Sequence, residues 1–123
     1  MDREIMKGSI DILILSLLSK KDMYGYGIVK NLKENSDELY NMSEGTLYPA
    51  LKRLEKNEWI QSYWEDAELG GRRKYYRILE SGRKELNRKL GEWKKVNDLI
   101  KKTSEGLAWI KNSNPILIRS LMT

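Results

Sequence analysis

The spacing of apolar residues changes period twice along this chain, and that change limits the fold more than any other feature of the sequence. Up to about Lys56 the spacing is helical. Ile5, Ile12, Leu13, Leu15, Leu17 and Leu18 predict a first helix over about residues 5–19, with an apolar surface wide enough to be buried on more than one side. Lys20-Lys21-Asp22 breaks it. A second helix is expected from about Tyr24 to Glu34, with Tyr26, Ile28, Val29 and Leu32 available to pack, and Asn35-Ser36-Asp37 is a turn signal. Ser43 is placed to cap a third helix running to about Lys56, and Glu44 suits its positive end. Leu47, Ala50, Leu51 and Leu54 mark its buried face.

The period then falls to two. Ile60, Ser62 and Trp64 alternate with Gln61, Tyr63 and Glu65, and Tyr75–Leu79 is again strand-like. Gly70-Gly71 between them permits a tight reversal, so a two-stranded hairpin is predicted. Helical spacing returns near Glu80–Gly82. Leu86, Leu90, Trp93, Val96, Asn97 and Ile100 define a long amphipathic helix reaching towards Lys111 despite Gly106, and Asn112-Ser113-Asn114-Pro115 stops it. The expected fold is mainly α with a small β-hairpin: a winged helix-turn-helix over residues 1–80, a C-terminal dimerisation helix over 81–112, and a tail of unassigned role over 113–123.

The composition closes off other classes. The 123 residues suit one core, and the chain has neither cysteine nor histidine. Disulfides, thiolate chemistry, His-based triads and the usual zinc ligand sets are thereby excluded. No pair of carboxylates stands at a spacing that suggests acid–base work, so no enzyme, metal or cofactor is expected. The most apolar run, Ile10–Leu18, is far shorter than the roughly 20 residues of a membrane span, and it lacks a basic leader; a cytoplasmic location is expected. The net charge of +5 is uneven: ten basic and four acidic side chains lie in residues 81–123, outside the expected reading helix.

Local clusters therefore carry the functional expectation. In a helix-turn-helix the second helix of the pair enters the major groove. With the third helix burying its leucines, Ser43, Thr46, Tyr48, Pro49, Lys52 and Arg53 remain on the far side, hydroxyls for bases and cations for phosphates. Tyr24 and Lys30 of the second helix join this DNA-contact set. Arg72-Arg73-Lys74 beside the hairpin tip, with Arg77 on the second strand, suits a wing lying on backbone or minor groove. A long helix with its own apolar stripe needs a partner, and a second copy of the chain would match a palindromic site. Trp93 at mid-stripe could face its copy and sandwich a planar aromatic small molecule. Asp11, a charge inside an apolar helix, could attract a cation.

The segments GTLYPALKRLEKNEWIQSYW and GGRRKYYRILESG, preceded by YGYGIVKNL, resemble the signature of PadR-family transcriptional regulators. The resemblance covers nearly all of residues 5–105, and the short C-terminal region is similar to that of a compact subfamily that includes a lactococcal multidrug-binding repressor. It implies a homodimeric, DNA-binding repressor, with flat drugs held between paired tryptophans at the dimer centre and DNA released on binding. Carried over by motif, Asp11, Ile12, Leu15, Trp93, Val96, Asn97 and Ile100 would line that site. Two positions depart from the pattern. Leu79 stands where the family often has a helix-capping threonine, leaving Glu80 or Ser81 to cap, and Asn97 stands where the drug-binding relative is acidic. The alternatives are a PadR-type repressor answering phenolic acids or no small molecule, and a protein-interaction module using the long helix.

Overall fold

The structure, a computed structural model, describes residues 1–107. In chain order it runs α1 (Arg3–Lys7), α2 (Ile10–Lys20), β1 (Met23–Tyr24), α3 (Gly25–Asn35), α4 (Glu44–Lys56), β2 (Ile60–Asp66), β3 (Arg72–Ile78) and α5 (Glu80–Thr103). The chain divides into two compact units, residues 1–89 and the residues from Leu90 onward, and α5 contributes to both. Among the described residues no helix is long and apolar enough to cross a membrane.

The single first helix expected over 5–19 is two helices. Asp2 starts α1 by accepting from the Glu4 and Ile5 amides at 2.9 and 3.2 Å. Gly8 ends it, and Ser9 donates both its amide and its hydroxyl to the Met6 carbonyl, at 2.9 and 2.8 Å. That carbonyl would otherwise serve the next helical turn, so the chain re-enters helix only at Ile10. Ile5 is exposed as a result, whereas Ile10, Ile14, Leu15, Leu17 and Leu18 of α2 are buried.

In α3, Ile28 and Leu32 are buried and Val29 packs against the core, but Tyr26 is 64% exposed; its ring rests near that of Tyr24, at 6.0 Å, instead of in the core. The Ser43 hydroxyl caps α4 by accepting from the Thr46 amide at 3.2 Å, and Leu47, Ala50, Leu51 and Leu54 form its buried face as expected. Helix α4 closes with Glu58 at φ 60° while the Trp59 amide reaches back to the Leu54 carbonyl at 3.1 Å, the geometry of a Schellman cap.

The hairpin is present, in register from Ile60 opposite Ile78 to Asp66 opposite Arg72. Its turn uses Gly70 and Gly71 at φ 91° and 79°, where a side chain would strain the backbone. A strand not expected from the sequence, β1, pairs with the other edge of β3, Met23 opposite Tyr76 and Tyr24 opposite Tyr75, giving the order β1-β3-β2. Two residues are too few to display a period.

Strand β3 ends at Ile78, one residue short of the expectation. The Leu79 amide donates to the Trp59 carbonyl at 2.9 Å, and its carbonyl accepts from Arg83 at 3.0 Å, so Leu79 turns the chain into α5. The Ser81 hydroxyl, expected as one of two capping candidates, donates instead to the Glu58 carbonyl. One turn of α5 lies on the α4–β2 corner so closely that a Cβ at Gly82 would stand 2.0 Å from the Trp59 oxygen. Leu86 completes the core of the first unit. Helix α5 ends at Thr103, earlier than the expected reach to Lys111. The hydroxyls of Thr103 and Ser104 donate to the Leu99 and Ile100 carbonyls, and Gly106 adopts φ 91°. The expected stop at residues 112–115 and the tail over 113–123 lie outside the described residues.

Candidate nucleic-acid interface

Helical geometry sorts the surface of α4. With Leu47, Ala50, Leu51 and Leu54 buried, the residues directly opposite are Gly45, Pro49, Lys52 and Lys56, all exposed. Lys56 is missing from the set expected on sequence grounds, although the same wheel that picks out Lys52 points to it. Thr46 and Arg53 lie on one flank of this face, and Tyr48 and Glu55 on the other. The Ser43 hydroxyl donates to the Thr46 hydroxyl at 3.2 Å while capping the helix, so the two expected base-contacting hydroxyls are already tied to each other. Arg53 is not a free cation. Its guanidinium forms an ion pair with the Asp11 carboxylate of α2, which joins a residue expected at a ligand site to one expected on DNA.

The wing cations are held differently. Arg72, Arg73 and Lys74 are exposed, and the register sets Asp66 and Glu65 opposite the two arginines. Among the described residues, however, none of the three is in an ion pair. Each lies over an aromatic ring instead: Arg72 over Trp64 at 5.4 Å, Arg73 over Tyr24 at 4.6 Å, and Lys74 over Tyr76 at 5.8 Å. Arg77 lies over Tyr63 at 5.5 Å and donates to the Gln61 side-chain oxygen at 2.9 and 3.2 Å. Such stacking restrains a cation without neutralising it, so the full charge stays available to an anion.

The rings themselves form a row. Tyr63 and Tyr75 stack at 5.8 Å, Tyr75 and Tyr24 meet at 5.5 Å, and Tyr24 continues to Tyr26. Strand alternation explains the row, because Tyr63, Tyr75 and Tyr24 are register partners on one face of the sheet. The Tyr63 hydroxyl anchors it by donating to Asp22 at 2.6 Å. That bond, with burial and the neighbouring acids, pushes the phenol pKa up to about 12.

Tyr24 and Tyr26, at one end of the row, also line a shallow cleft of about 190 Å³ between the wing, the start of α3 and the flank of α4. It is lined as well by Tyr48, Arg73, Lys74 and Tyr76. Four residues of the expected DNA set, Tyr24, Tyr48, Arg73 and Lys74, thus converge. Tyr26, expected in the core, joins them at the surface. Lys30 does not; it lies in a separate depression with Lys33, Glu34 and Glu38.

The expected ligand set divides between the two units. In the first, Ile12 is half-buried, Asp11 is paired as described, and Leu15 is 0% exposed. Leu15 is therefore part of the core of the first unit. In the second unit Trp93 is half-buried, and Val96, Asn97 and Ile100 are exposed.

Comparison with known proteins gives this surface a context. Residues 14–88 match the transcriptional regulator PadR-like family. A transcriptional regulator from Clostridium thermocellum is similar at 44% identity and a TM-score of 0.76, over 83% of this chain and 96% of that one. A PadR family transcription regulator from Clostridium difficile is similar at 40% identity and a TM-score of 0.69, over 77% and 97%. Bacillus subtilis PadR, solved in complex with operator DNA, is similar at 28% identity and a TM-score of 0.59; the likeness covers 66% of this chain and 46% of that one.

Proposed function

Because this chain belongs to the PadR-like family of transcriptional regulators, we propose that it is a repressor that binds operator DNA as a homodimer. The exposed face of α4 (Gly45, Pro49, Lys52 and Lys56) enters the major groove. Arg72, Arg73 and Lys74 grip the flanking backbone. The observation that carries this reading is the convergence of Arg73 and Lys74 with Tyr24 and Tyr48 around one cleft, which sets the wing beside the flank of α4. The operator complex of the Bacillus subtilis relative supports it. Selection from a pool of randomised duplexes tests it. We expect a recurrent palindromic site, and Arg73→Ala should weaken binding while lowering the salt slope by about one for each phosphate the variant no longer neutralises. An unselected pool, or an unchanged slope, would sink the assignment.

The dimer reading rests on α5. Leu90, Val96 and Ile100 are exposed apolar residues on its rear half, a stripe that a second copy would cover. The finer reading is that a planar aromatic molecule sits beside Trp93 and lowers DNA affinity by favouring another spacing of the reading heads. Titration with a flat cationic dye, beside Trp93→Ala, decides this point. Saturable quenching lost in the variant supports the site, whereas equal quenching in both proteins removes Trp93 from it.

A further inference from the structure

The ion pair between Asp11 and Arg53 spans 42 positions of sequence and joins α2 to the flank of α4. Asp11 is the only charged residue between Ile10 and Ser19, and its side chain is 19% exposed, so its carboxylate sits at the margin of an apolar core and benefits from a cation. Arg53 reaches it from a half-exposed position, 51%, on the helix that the proposed function places on DNA. To a guanidinium, a carboxylate and a phosphate are equivalent planar or forked acceptors. The wing cations rest on rings and can accept a phosphate without giving anything up; Arg53 cannot.

We infer that Asp11 is an intramolecular competitor of the DNA backbone for Arg53. It occupies the guanidinium in the free protein and yields it when a phosphate arrives beside α4. The inference rests on the DNA-binding reading above and adds to it a residue that weakens binding instead of supporting it. A pair with one partner half-exposed to water is worth little, so the exchange is nearly balanced and the attenuation modest, about two- to fivefold per subunit.

A thermodynamic cycle over wild type, Asp11→Asn, Arg53→Ala and the double variant tests it. The probe is a mixed-sequence duplex of about three helical turns, because phosphate contacts need no operator. Affinity is measured across a salt series. Asp11→Asn should bind about two- to fivefold tighter per subunit, with the salt slope unchanged because Arg53 meets the phosphate in both proteins, and the gain should vanish in the Arg53→Ala background. Asp11→Glu should behave as wild type. If Asp11→Asn does not fold, as near-ultraviolet circular dichroism will tell, Asp11→Ser is read in the same way. Unchanged or weaker binding overturns the inference. So does an equal gain with Arg53 absent, which would mark simple removal of negative charge. If wild type binds no duplex at all, the DNA-binding reading falls too; if it binds and the cycle closes to zero, only the competition falls.

Discussion

The front and rear of α5 share one apolar period but meet different fates. At the front, Gly82 lies against the Trp59 carbonyl, Ser81 donates to the Glu58 carbonyl and Leu86 is buried. At the rear, Leu90, Val96 and Ile100 are all at least 45% exposed. The difference teaches that periodicity states which face is apolar but not what covers it. The front turn finds a socket in the α4–β2 corner. The rear carries the same pattern with much of its apolar surface still open to a partner.

The sharpest way to break this contrast is Gly82→Ala. The new methyl meets a backbone oxygen, which cannot rotate away, so the helix must lift off its socket. We expect a loss of about 3 kcal/mol or more in chemical denaturation, at the upper end of overpacking effects. A loss below about 1 kcal/mol would mean that the socket is loose. Next comes a matched pair. Leu86→Ala should cost about 2–4 kcal/mol by opening a cavity in the core. Leu90→Ala, one turn on and 45% exposed, should cost under about 0.5 kcal/mol in dilute solution. A Leu90→Ala cost that grows with protein concentration would show that a second copy covers the rear half.

The smallest effect concerns pH. A hydrogen bond from Arg88 at 2.6 Å, aided by the charges of Arg88 and Lys89, holds Glu85 below its ordinary pKa. A depressed carboxylate contributes stability above its unfolded value and loses it as pH falls through the folded one. Glu85→Gln should therefore flatten the acid limb of the stability curve slightly below about pH 4, and an identical limb would show that the pair contributes nothing.

Much of this fold is legible in the sequence. The cap at Ser43, the buried face of α4 and the hairpin around Gly70-Gly71 are local, each set by a few adjacent residues. The family signature likewise lies in contiguous segments, and the PadR-like match over residues 14–88 agrees with it. The misreadings have local causes too. Ser9 diverts one carbonyl and splits a helix whose apolar period runs on regardless. Tyr26 has the right spacing for the core yet remains at the surface beside Tyr24.

The sequence alone settles what depends on residues within a turn or two of one another: the cap and buried face of α4, the reversal at Gly70-Gly71, and the lack of any thiol or imidazole side chain. Only the tertiary structure decided which distant groups meet. It added β1 to the sheet, stacked each wing cation on a ring, drew Tyr24 and Tyr48 to the wing, buried Leu15 and tied Arg53 to Asp11. The physical reason is that these contacts hold between groups far apart in the chain. Their geometry follows from how the elements pack, and no local spacing encodes that packing.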